Sequence, residues 1–405
     1  MKNMVIIGAG ITAINAVKAI REVDPESAIE LCGAERFYPY NRIKLTKSLL
    51  DQLEADEMLL QKKEWYDSQR VNLHLGEAVQ GIDVAAQEIL LPDQKRMHYD
   101  KLLLANGARN RRPGIAGANS ENMKTIRVME DAQEIHRAIA GKKVVFHIGG
   151  GIQGLETAWI LRQHRQEVVI AEIQSRLLPQ QLDERAAAIL REIVAAAGVR
   201  VLTNAEVVKV NGTAQPENVV LRDGTQVPCD MVIYATGIEP NIAFLQGTPI
   251  QTARGVLVDA RMQTSVAHIY AAGDVAEFDG KVHGLWNIAV AQGKTAGYNM
   301  ADRPTDYQPV VPVTTLNAFG LSLFSMGDVG AAEAIRSVVD EDRARNTYRR
   351  IFVKDQIVNG AIIIGDTGKS PLLKSATEQK IRLDGVDWER LTVDGLLEEL
   401  KLRKK

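Results

Sequence analysis

The chain has 405 residues, 45% of them hydrophobic, with 49 basic residues against 51 acidic ones. That length buries two or three domain cores, and the near-balance of charge excludes the basic field that nucleic acid or an anionic membrane calls for. No apolar run approaches the ~18 residues of a membrane-spanning helix. Met1 to Gly8 runs straight into a glycine turn, which leaves no room for a signal peptide's charged region, apolar core and cleavage site; a cytoplasmic location is expected. Cys32 and Cys229 form no CxxC pattern, and no Cys/His spacing suggests a metal site. Each cysteine lies beside an apolar run, so two half-buried thiols with a packing role are expected.

In chain order, an apolar strand enters Gly8-Ala9-Gly10-Ile11-Thr12-Ala13, and a helical stretch follows through Ile20. Gly8 allows the tight turn and Gly10 lets the backbone approach phosphates. Ala13 takes the third place, where only close helix–strand packing is needed. The helix N-terminus then offers free N–H groups and a favourable dipole to a pyrophosphate. Glu35 follows 22 residues after Ala13, where a ribose-binding acid belongs. Leu102–Leu104 leads into Ala105-Asn106-Gly107, and Arg109–Gly117, rich in Arg, Pro and Gly, reads as a crossover.

Val144–Ile148 next enters Gly149-Gly150-Gly151-Ile152-Gln153-Gly154, a complete GxGxxG, with a helix over Leu155–Gln163. Glu172 lies 18 residues after Gly154, at the end of Val168–Ala171. A carboxylate there accepts from a ribose 2′-OH and repels a 2′-phosphate. Arg176, four residues further on, is the group that could meet such a phosphate, and the charge logic favours NADH. Val232–Tyr234 with Ala235-Thr236-Gly237 repeats the earlier strand-to-turn ending. Alternating strands and helices, twice over, predict an α/β chain with two Rossmann-like dinucleotide-binding domains. One is discontinuous over 1–112 and 238–309; the other covers 113–237.

After about Pro309, Val310–Val313, Ile351–Val353 and Ala361–Ile364 predict strands of a separate sheet, with helices over Leu372–Gln379 and Val393–Lys401. They define a C-terminal α+β domain over 310–405. Arg343, Arg345, Arg349 and Arg350 cluster there beside Asp340, Glu341 and Asp342, which favours a self-neutralised surface over a basic patch for an acidic carrier. Lys401–Lys405 reads as a frayed, solvated tail.

Gly8–Gly10, Ala105–Ala108, Gly149–Gly154 with Glu156, Ala235–Gly237 and Tyr270-Ala271-Ala272-Gly273-Asp274-Val275 resemble the pyridine nucleotide–disulfide oxidoreductase superfamily, over about residues 1–300. The resemblance implies FAD in the first domain, NADH in the second, and Gly273-Asp274 on the flavin's ribityl chain. Asn106 departs from the family's Thr or Ser. Within the superfamily, Pro39-Tyr40-Asn41-Arg42 followed by Lys47 resembles the signature of ferredoxin and rubredoxin reductases. It implies Arg42 on an FAD phosphate, and Lys47 paired with Glu156 beside flavin N5 as the catalytic pair that tunes the flavin and orients nicotinamide. Further FAD contacts are implied at Val79 (adenine), Ala105, Asn106, Gly107 and Arg111, with Arg109 and Arg112 as neighbouring alternatives. A helix opening near Ala289–Gln292 would aim its positive end at flavin N1–O2, or serve only as a core helix. NADH contacts are implied at Gly149, Gly151, Gly154, Glu172 and Gly237.

Gly284-Leu285-Trp286-Asn287 and Gly320-Leu321-Ser322 are similar to NADH:rubredoxin oxidoreductases, and Gly365-Asp366-Thr367 to the reductase module of NADH-dependent nitrite reductases. No disulfide pair is present, and Ile43 stands about where cysteine-dependent NADH oxidases carry their reactive thiol. Together these resemblances imply hydride from NADH onto FAD, then electrons passed without a thiol relay to a one-electron iron carrier such as rubredoxin. Two other readings stay open: an oxidase or flavin reductase using O2 or a small quinone, and an NADH-sensing interaction protein. Monomer and dimer are equally compatible with the sequence.

Overall fold

The computed structural model describes residues 2–51, 53–119, 121–330 and 336–404. One five-stranded sheet is parallel throughout, in the spatial order Val71–Leu75, Ala28–Gly33, Asn3–Ile7, Lys101–Leu104, Ile269–Ala271. A second repeats that plan with Val199–Leu202, Glu167–Ala171, Val144–Ile148, Met231–Tyr234 and Met123–Lys124. Met4, Val5 and Ile6 of one central strand, and Val145, Phe146 and His147 of the other, have no exposed surface. Covered on both faces, such strands read as apolar runs with no polar alternation. In each unit a three-stranded antiparallel sheet precedes the fourth strand: Gly81–Asp83, Glu88–Leu90 and Arg96–His98 in the first, Val207–Asn211, Asn218–Leu221 and Gln226–Pro228 in the second.

Both glycine turns have the same cause. Gly8 and Gly149 each sit at φ +110°, where a Cβ would lie 2.2 Å from the Ala105 carbonyl oxygen and 2.3 Å from that of Ala235. Only glycine lets each strand end so close to its neighbour. The chain passes between the units twice, and the two passages pair as an antiparallel ribbon, Ala108–Asn110 with Ile238–Pro240.

The third sheet is five-stranded and antiparallel, in the order Val313–Ala318, Leu321–Gly327, Ile357–Ile364, Thr347–Lys354, Arg336–Asp342. Its two faces separate by period-two alternation. Ala361 and Ile363 face a core with Leu373, Leu396 and Leu400 of the helices Ser370–Glu378 and Val393–Arg403. Ile362 and Ile364 face the second unit, in one core with Leu155, Ala158 and Leu190. Asp183 fastens this joint. Its side chain caps the helix Glu184–Ala196 through the Ala186 N–H at 2.8 Å, and it also accepts from Tyr348 Oη at 2.7 Å and an Arg350 guanidinium nitrogen at 3.0 Å.

Three sequence expectations change. The strand expected from Val310 starts at Val313. The helix expected near Ala289 opens at Trp286 and runs to Met300. The tail is ordered through residue 403, because Arg403 donates to the Arg382 and Asp384 carbonyls and pairs with Glu399; Lys405 lies outside the described residues. The arginine cluster is self-neutralised as expected: Arg343 pairs with Glu341, Arg345 with Asp342, Arg349 with Asp340 and Asp394, and Arg350 with Asp183. Among the described residues no helix is long and apolar enough to cross a membrane.

Asp183→Ala removes a helix cap and leaves two partly buried donors unpaired. It should cost about 2–3 kcal/mol, read as a lower urea midpoint; an unchanged midpoint would show the joint holds without it.

Candidate active site

A cleft of about 1430 Å³ opens between the two Rossmann-like units and reaches the third sheet at Val313–Thr315. Gly8, Gly10, Glu35, Arg42, Val79, Ala105, Asn106, Gly107 and Asp274 line one end, and Gly149, Gly151, Glu172 and Gly237 the other; Lys47, Glu156, Trp286 and Ala289 also line it. Three expected contacts sit behind this wall. Ala13 has no exposed surface. A Cβ on Gly154 would meet the Gly149 carbonyl oxygen at 2.2 Å, and one on Gly273 would meet Thr12 Oγ1 at 2.3 Å. These residues let the walls close up.

Gly10 and Gly151 differ from the turn glycines. Both have extended backbone, φ −96° and −80°, and each precedes a helix whose first turn has no side-chain cap. A Cβ at either would meet no heavy atom within 4 Å. Neither backbone strain nor packing requires glycine there, so the room fits a ligand approaching each helix N-terminus, as a pyrophosphate does. Both cradles therefore fit dinucleotides.

At the second cradle, Glu172 is 7% exposed and accepts from the backbone N–H groups of Gly150 and Gln174, both at 2.8 Å. Arg176, the arginine within reach of a 2′-phosphate in the sequence, is turned away: it donates to the Leu182 and Pro179 carbonyls. At the first cradle, Glu35 accepts from Arg42 at 2.6 Å and Tyr40 Oη at 2.6 Å, and from the Met129 N–H at 3.2 Å. Burial alone would depress the Arg42 guanidinium, but Glu35 outweighs it and holds it above its ordinary value. Arg42, expected on a phosphate, thus has its charge already met by Glu35.

Lys47 ends the helix Ile43–Lys47, and Glu156 lies on the helix Ile152–Gln163. Leu45 and Leu49 share a core with Leu155 and Ala158, which sets Lys47 Nζ 3.8 Å from a Glu156 carboxylate oxygen. Glu156 is mostly buried and Lys47 half-exposed. Burial raises the Glu156 carboxyl above the usual range and Lys47 opposes the rise.

The three crossover arginines separate. Arg109 pairs with Glu239 away from the cleft. Arg111 and Arg112 line it, and Arg111 donates to the Thr236 carbonyl at 2.8 Å while Thr236 Oγ1 donates back to the Arg111 carbonyl at 2.6 Å. Arg111 therefore ties the two passages together. Asn106 donates through Nδ2 to the Asn241 carbonyl, and its Oδ1 is buried without a partner among the described residues. Ile43 lines the cleft and is 44% exposed. Cys32 and Cys229 are more deeply buried than expected, at 2% and 5% exposure, and unpaired. Burial, helped by nearby acids, pushes each thiol up to about 12.

Sequence reasoning missed Arg127, which lines the cleft, pairs with Asp274 at 2.7 Å and donates to the Ala108 carbonyl. It stands in no glycine motif; its one local signal is Asp131, which accepts from the Arg127 and Val128 N–H groups as a helix start.

The two kinds of glycine predict a split outcome. Gly10→Ala should leave the unfolding midpoint near the parent's while weakening dinucleotide retention at least tenfold. Gly8→Ala should fail at folding, since a positive-φ site and a backbone clash coincide. Equal loss of stability in both would show that Gly10 serves packing.

The model of the family described as pyridine nucleotide-disulphide oxidoreductase matches residues 2–293, and that of the rubredoxin NAD+ reductase C-terminal domain matches residues 312–381. The chain is 28% identical to an NADH-rubredoxin oxidoreductase of Clostridium acetobutylicum over 98% of its own length and 99% of that protein's. It is 29% identical to an assimilatory nitrate reductase electron transfer subunit of Bacillus subtilis, over 94% of its own length but 50% of that protein's. A crystal structure of a ferredoxin reductase from Rhodopseudomonas palustris superposes with a TM-score of 0.91 at 21% identity, covering 98% of this chain and 99% of that one, a likeness of fold. The chain belongs to the pyridine nucleotide-disulphide oxidoreductase family, as an oxidoreductase of the kind that uses FAD and NADH.

Proposed function

We propose that the protein takes hydride from NADH and passes the electrons singly, with no thiol relay, to a small iron carrier of the rubredoxin or ferredoxin kind. We assign FAD to residues 1–112 and 238–309, NADH to 113–237, and an interface role to 310–405, and place the reaction in the cytoplasm. The observation that carries this reading is the Lys47–Glu156 pair, set in the cleft that both cradles share. Ile43 occupies the wall of that cleft, and both thiols are buried and held protonated. Relatives named as rubredoxin and ferredoxin reductases support the choice of acceptor.

When bound, FAD supplies the conversion between two-electron and one-electron chemistry. The protein's part is position and electrostatics. Glu172 presents a fixed carboxylate to the NADH ribose. Glu156, anchored by the Lys47 ammonium, fixes one side of the place where the nicotinamide must stack. The helix Trp286–Met300 directs its positive end into the same cleft.

Mixing NADH-reduced enzyme with acceptors in stopped flow tests the proposal. Reoxidation should be fast with rubredoxin and slow with O2. Fast reaction with O2 would make it an oxidase, and slow reaction with every acceptor would favour an NADH-sensing role. Glu172→Ala should raise the KM for NADH about tenfold, the worth of one charged hydrogen bond, and that for NADPH much less. Lys47→Met should slow flavin reduction roughly 10–100-fold with FAD retained.

The pH dependence has a definite sign. Burial puts the folded carboxyl of Glu156 above its unfolded value, so the native state holds this proton more tightly. The stabilisation this brings is present at low pH and is lost as pH rises through the folded value. Lys47→Met removes what opposes the rise, so both this loss and the pH profile of reduction should move to higher pH.

A further inference from the structure

Around Tyr40 the structure joins parts of the molecule that the sequence keeps separate. Tyr40 is 4% exposed, and its ring packs in the core of the second unit with Met129, Ala132 and Ile135. Its hydroxyl donates to Glu35 Oε2 at 2.6 Å and accepts from the Met129 N–H at 2.9 Å. Met129 is the first residue of the helix Met129–Ala138, so Tyr40 and Glu35, from the first unit, cap a helix of the second. Arg42 completes the link: one terminal guanidinium nitrogen bonds Glu35, and the second terminal nitrogen donates to the Arg127 carbonyl at 3.0 Å. Arg127 in turn pairs with Asp274. The segment Arg127–Met129 thus spans from the ribose acid at one end of the first cradle to Asp274 at the other.

We propose that Tyr40 is a positioning residue for FAD: it fixes the Glu35 carboxylate and latches Arg127–Met129 across the cradle, so the FAD site is complete only when the second unit is docked. This rests on the reading that the first cradle holds FAD. A carboxylate has about four acceptor positions. Tyr40, Arg42 and Met129 fill three, and the fourth, on a side chain 15% exposed in the cleft wall, is left for a ribose hydroxyl. Burial holds the Tyr40 phenol above its ordinary value, so it stays a donor to Glu35 at all working pH.

The test is a double-mutant cycle on the holoenzyme, read as the rate of FAD release from the rise of free-flavin fluorescence after dilution. Tyr40→Phe keeps the ring in its core and removes only the hydroxyl. It should release FAD about tenfold faster than the parent. Glu35→Gln, which leaves the core untouched, should also speed release, and the double variant should be no faster than the faster single one. In Tyr40→Phe the Met129 amide should also exchange its hydrogen faster. A parental release rate in either single variant overturns the proposal, as does a double variant whose acceleration is the product of the two. If Tyr40 served packing alone, release and Met129 exchange in Tyr40→Phe would stay at parental values. A parent protein that binds no FAD would overturn the cofactor reading itself, a failure visible in its absorbance before any variant is made.

Discussion

Tyr40, Leu45, Leu49 and Met58 follow the second strand of the first unit, yet their side chains are buried in the core of the second. Each apolar side chain so buried is worth about 1.5–3 kcal/mol, which adds an apolar joint to the hydrogen-bonded ribbon at the crossovers. Two features of the cleft that joins the two cradles depend on it. It sets the helix carrying Lys47 against the helix carrying Glu156, and it brings the Tyr40 hydroxyl to the Met129 amide. Without that packing the glycine loops would still form in each unit, with only the crossover ribbon and polar links such as Arg127–Asp274 left to hold one against the other.

The third sheet extends the same core. Its Ile362 and Ile364 face belongs with Leu155 and Leu190, and Asp183 stitches the joint with three hydrogen bonds. The second and third units therefore share one hydrophobic interior, while the first keeps two clusters of its own. A joint packed like a domain interior is rigid, so the cleft wall at Val313–Thr315 holds its place relative to Glu156. That rigidity serves a reaction whose rate depends on distance and orientation.

What the sequence made legible was local. Gly8, Gly10, Gly149, Gly151 and Glu172 act within one strand–turn–helix unit, so their spacing alone carries the geometry. Lys47 and Glu156 were reached only through family resemblance, because the two helices meet through packing between residues over a hundred apart. Arg127 left almost no trace, since its partners Asp274 and Ala108 are brought to it by the crossover. The resemblance places an FAD contact at Arg111, but not the bond its guanidinium makes to the Thr236 carbonyl across the crossover. The tail read as frayed because its lysines look solvated; the carbonyls that receive Arg403 come from a turn 19 and 21 residues earlier. In each case the missing information is tertiary, and periodicity holds none of it.

The carboxylates Glu172 and Glu35 show how differently the two cradles are built. Glu172 is held by Gly150 and Gln174, backbone groups of its own unit within 22 residues. It is in place whether or not the other unit is docked, which suits a substrate that must enter and leave at every turnover. Glu35 is held by Met129 of the opposite unit and by Tyr40 and Arg42 of the excursion that packs there. Releasing a ligand from Glu35 by loosening that lattice would disturb the core that joins the units, a far larger cost than breaking its own hydrogen bonds. A resident cofactor needs such a barrier and an exchanging one must not have it. The placement of two chemically similar carboxylates, one self-supported and one supported from across the cleft, matches the division between FAD and NADH proposed for the two cradles.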